Sequence, residues 1–384
     1  MRWVTLKQLR GPDGDAGAVM RAIGDGDRQG TGAEGQAQAA QDAELSAGYD
    51  RGQRVLHIIG QGRRLGLRNQ SQVVSHHDGH ELIGISQTRV DRIELGPDAE
   101  TDSAVLRHAL NAGTDLAFVD GWGETEGWLT PPDFAHAALH LAQARLVIDP
   151  VLAASLARRI VDGRLRSQRA KLHLLNREAA DPEVILATKT LGGMIRKLAD
   201  PSVASLRGHE GAAAAVYWPT LGRLCDAAPQ PFRRTRPATD PLNAAINYLT
   251  AIVERDIRAA VLKRGLHPGF GVLHVASDGH AAGVWDLMEA FRAPMSEGLA
   301  VTLFNQNRLR AAMFTPVGSS IRIDTEARRA LVLGYEAAVG RVTLNPATGR
   351  RLTWRKLMEA EAGALAAHCR APETAAFVPF VQGY

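Results

Sequence analysis

Between residues 54 and 119 the apolar positions fall in short segments divided by turn residues: Val55–Ile59, Leu65–Leu67, Val73–Val74, Glu81–Ile85, Val90–Leu95 and Leu116–Val119. This spacing predicts strands and hairpins. In HHDGHE the Asp78-Gly79 pair supplies a hairpin turn, and Asp102 to Asn111 predicts a short helix that stops near Gly113. The glycines and paired prolines of GWGETEGWLTPPD, 121–133, end the β pattern, and helical spacing takes over at 134–148, 151–163, 240–263, 296–312, 324–340 and 351–368. Within 240–263, Ala245, Tyr248, Leu249, Ile252, Val253, Ile257, Ala260 and Val261 follow the i, i+3, i+4 rule behind an Asp240 cap and Pro241. The pattern predicts an α+β fold: a small β-rich domain at 53–132, then a larger α-helical domain at 133–384, with the boundary near Pro132.

Residues 1–52 show neither period. They hold 10 of the 38 glycines, and their low hydrophobicity predicts a disordered tail or linker, or the remnant of an upstream fused domain. The whole chain of 384 residues is 45% hydrophobic and 22% charged, within the globular range. Its two cysteines, Cys225 and Cys369, exclude a disulfide framework and a four-thiolate zinc site. The N-terminus lacks the apolar core of a signal peptide and no stretch is long enough to span a bilayer, so the reading is cytoplasmic. With six basic and eight acidic side chains in residues 1–52, the net charge of +4 for the chain becomes +6 for the remainder. That surplus permits a polyanion partner.

Three segments carry candidate chemistry. In LRGHEGAAAAVYW, 206–218, Glu210 sits on a helix among glycines and alanines; it is either a carboxylate with open surroundings or the solvated edge of a packed helix. In GLHPGFGVLHVASDGHAAGVWDLMEAFRAP, 265–294, His274 precedes a helix on which Asp286 and Glu289 are i, i+3; the pair either meets a cation or caps a helix at the surface. One imidazole with two or three carboxylates suits Mg²⁺ or Mn²⁺. In PQPFRRTRPATDPLNAAINY, 229–248, Arg233, Arg234 and Arg236 cluster before a helix, and Arg164, Arg166, Arg169, Lys171, Arg292, Arg308 and Arg310 add to a predicted phosphate-binding surface. His76, His77, Asp78 and His80 read as a polar hairpin tip, Gly60, Gly62 and Gly66 miss the dinucleotide spacing, and Cys225 reads as a small buried hydrophobe.

Together these motifs, with RVDRIELGPDAETDSAVLRHALNAGTDLAFVDGWG, VDGRLRSQRAKL and IRIDTEARRALVLGYE, resemble the CRISPR-associated integrase of spacer acquisition, the Cas1 family, from about Arg54 to the C-terminus. The resemblance implies a homodimer of β-rich and helical domains, the β-rich domain serving dimerisation. It also implies a small Cas2 protein bridging two dimers and insertion of short DNA duplexes into a CRISPR array. It assigns a divalent metal to Glu210, His274 and Glu289, gives Asp286 a supporting or alternative ligand role, and makes Arg233, Arg234, Arg236, Arg164, Arg292 and Arg308 DNA-binding residues. The chain departs from the family at His209, Ala282 and His267 and in its glycine-rich extension. Those departures keep a second reading open, a DNA-binding scaffold whose chemistry has lapsed.

Overall fold

The computed structural model describes residues 18–20, 55–69, 71–86, 89–130, 135–198, 202–346 and 348–382. The expected tail at 1–52 lies outside the described residues, apart from Ala18–Met20, whose backbone pairs with Val55–Ile58. The chain divides into two compact units, Met1–Pro132 and Asp133–Tyr384.

The first unit holds two sheets. The larger runs β1 (Ala18–Met20), β2 (Val55–Ile58), β6 (Arg92–Leu95), β8 (Asp115–Val119) and β9 (Thr125–Leu129), with parallel pairing among β2, β6 and β8. The smaller orders β5 (Glu81–Ser86), β4 (Ser71–His76), β3 (Arg63–Arg68) and β7 (Ala99–Thr101). Helix α1 (Ser103–Asn111) starts where the Asp102 side chain accepts the Ala104 and Val105 N–H groups. Leu56, Ile58, Leu65, Val74, Ile93, Leu95 and Leu116 form the core with Val105 and Ala109. The hairpin tip turns at Gly79, whose φ of +87 favours glycine, and Asp78 accepts the His80 N–H there. Strand β9 lies inside the segment read as a terminator, because its glycine and tryptophan masked a half-buried edge strand.

The second unit is helical: α2 (Ala137–Ile148), α3 (Pro150–Leu175), α4 (Pro182–Arg196), α5 (Val203–Arg223), α6 (Pro241–Lys263) and α7 (Ala282–Arg292). A π-helical turn at Ala293–Glu297 leads into α8 (Gly298–Asn305), and α9 (Thr325–Val339) and α10 (Trp354–Arg370) alternate with two small hairpins. The sheet-then-helix order is the α+β fold expected. Helix α6 is the axis, buried along most of its length behind the Asp240 cap and Pro241. Two helix expectations needed correction. The helix predicted at 151–163 runs on to Leu175, because Gly163 is a close-packing position: a Cβ there would lie 2.6 Å from Pro379. The helix predicted at 296–312 stops at Asn305, where the backbone turns through Asn307 at φ +56 and Leu303 O accepts the Arg308 and Leu309 N–H groups. Among the described residues no single helix is long and apolar enough to cross a membrane.

Candidate active site

The glycines of GFGV and AAGV bring the segment 271–274 against the start of α7. A Cβ on Gly271 would lie 2.6 Å from the Ala282 carbonyl carbon, and one on Gly283 would lie 2.6 Å from Phe270 O. That close approach sets Asp286, one turn into α7, beneath three backbone N–H groups. Val272 and Leu273 donate to Oδ2 at 2.5 and 3.0 Å, and His274 donates to Oδ1 at 2.9 Å. Arg207 on α5 holds the other side of the segment, its Nε and Nη2 donating to Leu273 O at 2.8 and 2.6 Å. The His274 ring is thereby aimed: Nδ1 pairs with Asp286 Oδ1 at 2.8 Å, and Nε2 faces Glu289 Oε1 at 3.9 Å.

Glu289 is 0% exposed. Arg292 donates to its Oε1 at 2.8 Å, and Arg164 Nε approaches Oε2 at 3.1 Å without hydrogen-bond geometry. Burial works against the Glu289 charge, but Arg292, Arg164 and His274 outweigh it and hold the pKa below the usual glutamate value. Glu210 comes in from α5, half-buried, close enough to feel Glu289, Arg164, Arg292 and His274; burial first and Glu289 second push its pKa up. The small neighbours leave its flank open, since a Cβ on Gly208 or Gly211 would meet nothing within 4 Å. For His274 burial disfavours the charge, yet the Asp286 hydrogen bond and the Glu289, Asp286 and Glu210 carboxylates prevail and raise the pKa.

The residues fit a divalent cation. With Nδ1 engaged by a carboxylate, Nε2 is the ring atom left to face a cation and its orientation is fixed, the arrangement metal-bound histidines favour. Glu289 Oε2 is a buried oxygen with no hydrogen-bond partner, and a donor set of imidazole and carboxylates suits a hard cation. Among the described residues no three His, Cys, Asp or Glu side chains are already gathered as a formed metal site. Two guanidinium groups lie against Glu289 instead. Both Asp286 oxygens accept from backbone N–H groups or pair with His274, so in this structure the carboxylate orients the ring.

Residues 56–337 match the family profile of CRISPR associated protein Cas1. The chain belongs to the Cas1 family. A CRISPR-associated endonuclease Cas1 of Thermus thermophilus is 31% identical over 290 residues, spanning 73% of this chain and 85% of the relative. Among solved structures, a chain of a Cas6-RT-Cas1–Cas2 complex superposes with a TM-score of 0.74 at 21% identity, over 86% of this chain and 36% of that one. A casposase bound to integration product superposes with 0.71 at 17% identity, over 83% and 91%. At those identities the likeness establishes the fold.

The basic residues of this Cas1-family chain divide into two kinds. Arg233, Arg236 and Arg308 are exposed, and Arg236 lies over the Trp285 ring at 5.4 Å, next to the residue that aims His274. Arg164 is not a surface residue: it is 3% exposed, and its terminal nitrogens both donate to Glu297, at 3.1 and 2.6 Å. Arg292 is directed at Glu289, and Arg234 is half-buried, donating to Asn243 Oδ1 at 2.8 Å and to Asn247. Burial first, then Arg236, lowers the Arg234 pKa to about 10. Arg169 donates to Thr188 O, and the Lys171 stem lies across Gly298. A charged residue on an amphipathic helix reads as solvated until its partner is known. Glu297 was missed in the same way, because Pro294 reads as a helix end while the π-helical turn continues the chain. Cys225 is buried, its thiol pushed up to about 11 by burial, as suits a packing residue.

Proposed function

We propose that this chain is a metal-dependent DNA endonuclease and integrase of CRISPR adaptation, inserting short duplexes into a repeat array by attack of a DNA 3′-hydroxyl on a phosphodiester. The observation that carries the reading is the placing of His274 Nε2 3.9 Å from Glu289 Oε1, with Glu210 near enough to feel both charges and a buried acid that aims the imidazole. The names of the relatives agree with it: one is an endonuclease, and one was solved with an integration product.

Glu210, Nε2 of His274 and Glu289 would hold Mg²⁺ or Mn²⁺. Bound there, the cation supplies Lewis-acid polarisation of a phosphate and charge stabilisation at the departing oxygen. The chain itself contributes placement. Asp286 fixes the tautomer and direction of His274, and the Arg207 clamp keeps the 272–274 segment in register with α7. Exposed Arg233, Arg236 and Arg308 hold backbone phosphates and so fix the register of the DNA, with no sequence reading required. In the exchange the attacking 3′ oxygen gains a P–O bond and loses its proton to solvent, while the target strand's phosphorus–3′ oxygen bond breaks and that oxygen keeps the electron pair and takes a proton from solvent. One phosphodiester replaces another, so no nucleotide hydrolysis is needed and catalysis rests on orientation and electrostatics. Water in the place of the hydroxyl yields a nick.

The same reading takes the β-rich unit as a dimerisation surface, a Cas2 protein as the bridge between two dimers, and the cytoplasm as the location. The fold likeness to a chain of a Cas1–Cas2 complex supports it. One observation favours a scaffold without chemistry, namely the capture of Glu289 by Arg164 and Arg292. Incubating the purified protein, with and without its Cas2 partner, with a labelled duplex and a repeat-containing plasmid in Mg²⁺ or Mn²⁺ separates the two. Joined product that vanishes with EDTA is expected. Salt-sensitive DNA binding without any metal-dependent product would replace the integrase by the scaffold.

A further inference from the structure

Behind the proposed ligands lies a buried cluster of two arginines and two glutamates. Glu289 and Glu297 are each 0% exposed and Arg164 is 3% exposed. Arg164 directs both terminal nitrogens at Glu297, leaving only its Nε edge against Glu289. Arg292 divides itself the other way, with Nη1 on Glu289 at 2.8 Å and Nε 3.6 Å from Glu297. The Arg164 guanidinium also lies 5.8 Å from the centre of the Tyr217 ring. Three atoms of this cluster, Arg164 Nε, Arg292 Nε and Glu289 Oε2, are buried outside hydrogen-bond geometry, the first and last facing each other at 3.1 Å. Buried polar atoms are normally satisfied, so three ill-satisfied atoms around one acid leave room for its bonding to rearrange.

Resting on the metal reading above, we propose that Glu297 is a positioning residue that draws the terminal nitrogens of Arg164 away from Glu289 and thereby sets how readily the site takes a divalent cation. Two guanidinium groups in a dry region require two carboxylates. While Glu297 takes the Arg164 fork, Glu289 keeps one oriented bond, to Arg292, and its Oε2 meets only the Arg164 Nε edge, at 3.1 Å and outside hydrogen-bond geometry. Without the Glu297 charge, the Arg164 fork turns onto Glu289, and a cation then has to displace two hydrogen-bonded guanidinium groups where the parent presents one hydrogen-bonded and one held by its Nε edge alone. The π-helical turn Ala293–Glu297 makes this possible by carrying Glu297 to the same two arginines that Glu289 meets.

The test is Mn²⁺ binding by calorimetry on the full chain without DNA. Glu297→Gln should weaken Mn²⁺ by about tenfold or more, whereas Arg164→Gln should bind at least as tightly as the parent, although both lose a buried partner and melt earlier. A pair that merely ties helices together would move both variants in the same direction. Unchanged or tighter binding in Glu297→Gln, or weakening in Arg164→Gln, overturns the proposal. If the single variants do not fold, the Arg164→Gln/Glu297→Gln double variant carries the test: affinity within about threefold of the parent is expected, and loss of binding overturns it. Glu289→Gln separates the two levels. A parent that binds no Mn²⁺, or a Glu289→Gln variant that binds as well as the parent, removes the metal reading itself. Parent binding that is lost in Glu289→Gln but unchanged in Glu297→Gln removes only the role of Glu297.

Discussion

Asp286 does two jobs with one carboxylate. It closes three backbone N–H groups and it orients the His274 ring. Asp286→Ala leaves two buried and one part-buried N–H donor without their acceptor, so it should cost about 3 kcal/mol or more of stability; a urea midpoint compared with the parent's checks this. Asp286 also raises the His274 pKa, together with Glu289 and Glu210 and against burial. Only the neutral ring can ligate, so cation binding should be present above that raised pKa and fade as the pH falls through it. In Asp286→Asn the imidazole loses its charged partner and its pKa drops, and the acid limb should move to lower pH. Mn²⁺ affinity measured across the acid range reads this directly; a limb that stays in place would mean that another group controls it.

Elements explain what sequence patterning could and could not reach. Helix α6 was legible because its cap, its N1 proline and its apolar stripe all agree, and the hairpin at Asp78-Gly79 was legible because its turn residues leave little choice. The full length of α3 was not, since Gly163 reads as a stop while it actually admits Pro379. His274, Asp286 and Glu289 could be picked out by type and spacing, but not their division of labour, which depends on the backbone folding over α7. The C-terminal segment behind α7 gave no signal either. Phe377 and Phe380 are almost wholly buried, Phe380 stacks on Phe291, and the Phe380 N–H donates to Glu361 at 3.1 Å. Phe380→Ala should therefore cost about 4 kcal/mol, read from denaturant unfolding. Burial raises the Glu361 pKa to about 8, against an opposing contribution from the Phe380 N–H. The sign follows: between its ordinary value and about 8 the folded state binds more protons than the unfolded one, so Glu361 lowers stability as the pH rises through that window. Glu361→Gln should lose less stability than the parent between about pH 5 and 8.

At the scale of the whole molecule the charge surplus is modest, and burial removes part of it from the surface. Arg164 and Arg292 serve the interior acids, and Arg234 serves Asn243 and Asn247. On the proposed function, DNA affinity rests on exposed groups such as Arg233, Arg236 and Arg308. Replacing Arg233 and Arg236 by Gln should weaken binding to any duplex alike and flatten the slope of log K against log salt by about two. Arg164→Gln should leave that slope as it was, because a buried guanidinium releases no counterions. The central claim is that Glu210, His274 and Glu289 together perform strand transfer. Its most direct test is to join a labelled duplex to a repeat-containing plasmid with the parent, Glu210→Ala, His274→Ala and Glu289→Ala. Each substitution should abolish the joined product while DNA binding and the circular dichroism spectrum persist. Joined product at the parent level from all three variants would contradict the account.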